Sequence, residues 1–174
     1  MDQQTTSTKR SKLDTLFLVY FVSHIPITLS IDIQPLLPEG IVLRPLLALN
    51  EMLTQQLRDP FMVLGNKGHA DLTWFRSFLV CELVLQLPFF FYAVWALWVS
   101  SPHRHLPLLV YGAHVCTTMA PILGMLIFGD IDRSCRERMV LFSMYVPYLL
   151  LPLAMVCVSY SRCASAISAK LKSQ

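Results

Sequence analysis

Three acidic side chains of this 174-residue chain stand where acids are costly to place. Glu82 lies inside the stretch Trp74 to Ser100, whose only other formal charge is Arg76. A charge at the centre of a membrane helix costs at least about 2.5 to 3.5 kcal/mol on insertion scales, so an acid there implies a task. Gln86 follows Glu82 at i+4 and shares its helix face. Asp32 closes the first apolar stretch, on the membrane side where the second begins. Asp59, just before Pro60, lies in the segment joining the two and is placed to fold back over that mouth. Every other apolar stretch offers polar groups as well: Tyr20, His24 and Thr28 on the first, His114, Thr117 and Thr118 on the third, Tyr145 and Tyr148 on the fourth.

Carboxyls crowded into a low-dielectric medium cannot all ionise; one is expected to hold a proton while another stays negative, and such a site wants a cation. An apolar hollow with a polarised acid at one end suits an amphipathic guest. A sterol with one polar group fits that description, as does a hydrophobic amine whose ammonium pairs with Asp32. Acid/base catalysis is the competing chemistry, with Asp32, Glu82 and His24 as the available set. A metal centre built from His24, Asp32, Glu82 and His114 is not expected, because these ligands lack a compact spacing. The five cysteines (Cys81, Cys116, Cys135, Cys157, Cys163) form no CxxC pair, so no disulfide framework or zinc cluster is legible, and no cofactor is implied.

The elements that must position these groups follow from composition. The chain is 55% hydrophobic and 14% charged with a mean hydropathy of +0.53, against about 25% charged in soluble domains. Charge so scarce cannot cover a water-facing surface, which excludes an ordinary soluble domain and disorder alike. The net charge of +3 is modest and its basic residues fall in short clusters, so no nucleic-acid partner is expected. Crossing a hydrocarbon core takes about 20 mostly apolar residues. Four stretches qualify: Leu13 to Ile33, Trp74 to Ser100, Leu106 to Phe128 and Met139 to Tyr160. The expected fold is therefore all-α, an integral membrane four-helix bundle over residues 13–160, between a disordered arm (1–12) and a tail (161–174). Pro26, Pro88, Pro121, Pro147 and Pro152 fall inside the spans and predict proline-kinked transmembrane helices that splay around a cavity. In the long first connection, Leu46, Leu49, Met52, Leu53 and Leu57 follow a 3.6-residue period, predicting a short amphipathic lid helix.

Basic residues number seven on each side of these spans, so the positive-inside count is tied. The basic flank Lys9, Arg10, Lys12 of the first helix breaks the tie toward a cytosolic N-terminus. Four spans return the C-terminus to the same side. There Lys170 and Lys172 look like a dilysine retrieval signal of the endoplasmic reticulum. The apolar run after the N-terminal basic cluster has no small-x-small cleavage site and is not expected to be a signal peptide.

The run Tyr20-Phe21-Val22-Ser23-His24-Ile25-Pro26, followed by Asp32-Ile33-Gln34, resembles the first helix of the sigma-2 receptor family of EXPERA-domain membrane proteins. Arg58-Asp59-Pro60, Cys81-Glu82-Leu83-Val84 with Gln86-Leu87-Pro88, Tyr111, His114, Thr117-Thr118 and Tyr145-Val146-Pro147-Tyr148 continue the likeness in order. The resemblance implies four transmembrane helices in the endoplasmic reticulum, homodimers, and a lipid-accessible pocket for sterols and cationic amphiphiles. It further implies that Asp32 pairs with the amine, that Asp59 supports it, and that Glu82, Gln86, Thr118 and Tyr148 line the pocket. The segments Gly65 to Asp71 and Asp130 to Arg138 depart from the family pattern. The wider family contains a sterol isomerase of the emopamil-binding type and microbial members associated with mitochondrial precursor targeting. The likeness is to the non-catalytic branch, so no enzyme activity is expected.

Overall fold

The computed structural model describes residues 10–36, 59–61 and 72–173, together with positions 45, 48, 51 and 55. The apolar face of the expected lid helix and the segment Gly65 to Asp71 lie outside the described residues, as do residues 1–9 of the N-terminal arm.

Described secondary structure is all helical. Helix α1 (Lys12–Ile27) starts at a reciprocal cap: Ser11 Oγ accepts from the Asp14 N–H, and the Asp14 carboxylate accepts from the Ser11 N–H, each at 3.1 Å. It runs into a π-helical turn, Thr28–Asp32, and a short 3₁₀ turn, Gln34–Leu36. Helix α2 (Thr73–Cys81) likewise passes through a π turn, Glu82–Gln86, into α3 (Leu87–Trp98). Helix α4 spans His105–Phe128. Helix α5 (Cys135–Tyr145) continues as α6 (Pro147–Lys172) after a break at Val146. Joined this way, four segments are long and apolar enough to cross a membrane: Lys12–Asp32, Thr73–Trp98, His105–Phe128 and Cys135–Lys172.

The first three spans end within two residues of where charge avoidance places them. The fourth departs at both ends. Its start moves back from Met139 to Cys135 because Ser134 and Glu137 form a second capping box: Ser134 N–H donates to Glu137 Oε2 at 2.9 Å, and Glu137 N–H to Ser134 Oγ at 3.3 Å. Its end moves on from Tyr160 to Lys172, because the polar and alanine-bearing tail keeps its helix propensity after its hydropathy falls. Of the prolines, Pro26, Pro121 and Pro152 lie within helices, whereas Pro88 and Pro147 occupy first turns beside the Glu82–Gln86 π turn and the Val146 break.

Helices α4 and α6 make the most extensive helix pair, and α1 with α3 the next. Gly112 sets the closeness of the first pair: a Cβ there would sit 2.7 Å from Pro152 O and 2.9 Å from Val156 Cγ2. Gly112→Leu is therefore expected to destabilise the protein by about 1 to 3 kcal/mol or more through overpacking. Thermal unfolding in detergent micelles measures it, and an unchanged midpoint would contradict the close approach. Aromatic rings join the two pairs, with Phe21 against Tyr111 at 5.1 Å and Phe89 stacked on Tyr111 at 4.9 Å between centroids. Val19, Val84, Trp95, Val110 and Leu150 face outward, as lipid-facing positions of a membrane bundle do.

Candidate functional site

The two π turns carry the acids at their ends. In a π turn the N–H of residue i+5 reaches the carbonyl of residue i; here Ile33 N–H reaches Thr28 O at 3.2 Å and Leu87 N–H reaches Glu82 O. Behind Glu82 the cause is Pro88, which has no N–H for the carbonyl of Val84 and whose ring crowds that carbonyl, so the wider turn relieves the clash. Thr28 and Asp32 open and close the first π turn, as Glu82 and Gln86 do the second.

Both turns face a cavity of about 450 Å³ that extends between α1, α2, α4, α5 and α6. Ile27, Ile31, Phe75, Leu79, Val115 and Met119 are among its apolar walls. The structure brings all seven sequence-selected residues to this one space: His24, Asp32, Asp59, Glu82, Gln86, Thr118 and Tyr148. No lysine or arginine stands among its described lining residues.

The polar groups are connected through Thr28, whose side chain is fully buried. Its hydroxyl lies 2.7 Å from Glu82 Oε1 and 3.3 Å from Asp32 Oδ2. One hydroxyl hydrogen serves one acceptor at a time, so completing the pairing of both carboxyls takes a further proton or a cation. His24 Nε2 stands 3.7 Å from Glu82 Oε1. Gln86 Nε2 and His114 Nε2 approach to 3.4 Å, which places His114 with the second π turn rather than with Asp32. Across the cavity Tyr145 donates its hydroxyl hydrogen to Asp59 Oδ2 at 2.6 Å, while the Phe61 N–H donates to Asp59 Oδ1 at 2.8 Å. Phe61 is almost fully buried, stacked on Phe75 at 5.2 Å and edge-on to Tyr145 at 5.9 Å. Packing of that ring fixes Asp59 in the cavity wall.

Two participants were not singled out as site residues by sequence reasoning. Thr28 shows a signal in hindsight, since it sits between His24 and Asp32 at four-residue steps along one helix face. Tyr145 shows none, because its pairing with Asp59 depends on a segment 86 positions away. Thr28→Val, which keeps the shape and removes the hydroxyl, is expected to cost about 1 to 3 kcal/mol by leaving buried carboxyl oxygens without a donor. Chemical unfolding in micelles reads this directly; a stability equal to that of the unmodified protein would show that Thr28 does not tie the two acids.

The second π turn, with Glu82 and Gln86, and the cavity residues from Asp59 to Tyr148 fall in the segment that the EXPERA (EXPanded EBP superfamily) family model matches, residues 45–159, well over half of the chain, while the first π turn, Thr28–Asp32, precedes it. The chain belongs to the EXPERA family. It is 38% identical over 152 residues to Sigma intracellular receptor 2 of Xenopus tropicalis, covering 83% of this chain and 85% of that protein. The human Sigma intracellular receptor 2 is 36% identical over 154 residues, covering 82% of this chain and 84% of its own. A further relative, Efficient mitochondria targeting-associated protein 19 of Schizosaccharomyces pombe, is 28% identical over 156 residues, covering 85% of this chain and 75% of its own. The chain is thus an EXPERA membrane protein related to intracellular receptors, with four helices long enough to cross a bilayer.

Proposed function

We propose that this chain is a receptor-like binding protein, not an enzyme, that takes a sterol or a cationic amphiphile into its intramembrane cavity. The single observation that carries this reading is the pairing of Asp32 and Glu82 through Thr28 on the wall of a largely apolar cavity that has no lysine or arginine among its described lining residues. An ammonium supplies the missing positive charge, and a sterol hydroxyl supplies one hydrogen bond while its rings fill the apolar walls. Asp32 is the pairing carboxyl, Glu82 and Asp59 its supports, and His24, Gln86, Thr118 and Tyr148 shape the polar side of the space. Relatives named as intracellular receptors support the assignment.

The basic N-terminal flank and the Lys170–Lys172 pair favour an endoplasmic-reticulum protein with both termini cytosolic, and the family resemblance implies a homodimer among membrane lipids. Saturable binding of a radiolabelled hydrophobic amine or sterol to the purified protein, one per chain, tests the function; no saturable binding of either class would refute it. The likeness to the fission-yeast protein named for mitochondria targeting favours a second reading, a factor at the endoplasmic-reticulum surface that assists mitochondrial precursors. Proximity labelling separates them, since precursors enriched around the chain support targeting and sterol-handling proteins support the receptor.

A further inference from the structure

Three donor atoms of differing chemistry converge on one wall of the cavity. His24, Asp32 and Glu82 each present a ligating atom, and all three atoms lie within 4.8 Å of one another. Sequence spacing carries no sign of this, because the residues come from two different spans, with Asp32 and Glu82 in the two π turns and His24 in the helix before the first.

His24 makes the cluster more than a pair of acids. It is 8% exposed and lines the cavity. Its one polar approach among the described residues is Glu82 Oε1 at 3.7 Å, too long for a hydrogen bond. The rings of Tyr20, Phe90 and Tyr148 surround it at centroid distances of 5.0 to 5.1 Å and hold the imidazole in place. An imidazole that lines the cavity and has no hydrogen-bond partner among the described residues is available to a ligand that enters it.

We propose that His24, Asp32 and Glu82 hold a divalent transition-metal ion, with Zn²⁺ the best match to one imidazole nitrogen and two carboxylates. Three protein ligands and a fourth position open to the cavity is the pattern of zinc sites that exchange a water or a small ligand. Donors around tetrahedral zinc stand roughly 3.3 Å apart, so an approach of at most about 1.5 Å between the donor atoms closes the site. Thr28, which donates to Glu82 and lies within reach of Asp32, is the outer-shell hydrogen bond that ligating carboxylates need. Charge also balances at the ligands themselves, since the two carboxylates and one dication are neutral together. Magnesium is a poor match, since it prefers oxygen donors and near-octahedral geometry. The dication and an ammonium would compete for the same carboxyls, yet the metal reading stands on donor geometry and does not require that amines bind.

The test uses the purified full-length protein in detergent micelles with its thiols alkylated, equilibrated against buffered Zn²⁺ and analysed for bound metal. We expect one equivalent per chain, retained against excess Mg²⁺, with affinity lowered at least tenfold in His24→Ala and in Glu82→Gln. Co²⁺ supplied to the unmodified sequence gives a variant-free readout: visible ligand-field bands of a nitrogen and oxygen site, without sulfur charge transfer. No stoichiometric zinc, affinity untouched by both substitutions, or a Co²⁺ spectrum lacking ligand-field bands overturns the proposal. No amine is present in these measurements, so their failure leaves the ligand reading standing and the reverse holds too.

Discussion

Asp32→Ala is expected to abolish the binding of hydrophobic amines and to leave the bundle folded. The expected loss follows from removing one partner of a desolvated charge pair, which costs about 2 to 5 kcal/mol, or roughly 30-fold to several-thousand-fold in affinity. Folding survives because Asp32 sits at the last position of a π turn beside the cavity, where truncation enlarges an existing space and leaves Glu82 its hydrogen bond from Thr28. Asp32→Asn refines the point. The amide keeps the shape and the hydrogen-bonding capacity but not the charge, so amine affinity falls as in the alanine variant while a sterol, which asks only for a hydrogen bond, is held within about tenfold. Radioligand displacement on purified variants, with thermal unfolding alongside, reads both effects. Amine affinity unchanged in Asp32→Ala would remove this residue from the site.

The second large effect lies at the opposite end of the bundle and concerns stability. Arg104, just before α4, reaches Asp14 in the first turn of α1 at 3.1 Å, with both side chains at least nine-tenths buried. Its guanidinium also donates to the carbonyls of Ser100 at 3.1 Å and Ser101 at 2.7 Å, so one side chain ties the α3–α4 turn to the start of α1. Nearby, Arg10 lies over the Trp98 ring at 5.2 Å and donates to the Trp98 carbonyl. Arg104→Ala takes the guanidinium away from a buried carboxylate and two carbonyls, and is expected to cost about 3 to 5 kcal/mol. The double replacement Arg104→Met with Asp14→Leu restores most of it, because an apolar pair of similar volume avoids the desolvation that the ion pair must overcome. Unfolding curves of the single and double variants in micelles decide the matter. A loss below about 0.5 kcal/mol in Arg104→Ala would place the pair among solvent-screened bridges.

What could be read in the sequence divides along physical lines. Spans follow from one local rule, the avoidance of charge over some twenty residues, and the rule located all four. It failed at the ends of the last, where helix propensity and the Ser134–Glu137 cap act beyond the apolar stretch. Glu82 and Gln86 were legible as a pair because helix spacing alone puts them on one face, and Asp32 joined them because alternation of span direction fixes which ends meet. Distances were not legible. The π turns that bring Glu82 within reach of His24 and Asp32 shift the register by part of a turn, and only Pro88 hints at one of them. The same holds for the ion pair Arg104 to Asp14, whose members are 90 positions apart and read singly as flanking charges. Such pairings are set by tertiary packing, which no local pattern encodes.

The account rests on an acidic wall that meets a guest inside the membrane. An experimental structure of the purified protein with a hydrophobic amine bound tests it most directly. The account predicts the ammonium nitrogen within about 2.7 to 3.2 Å of an Asp32 carboxylate oxygen, with the apolar body lying between Phe75, Val115 and Met119. An amine seated elsewhere, or Asp32 and Glu82 turned to separate surfaces with no shared space between them, would contradict it.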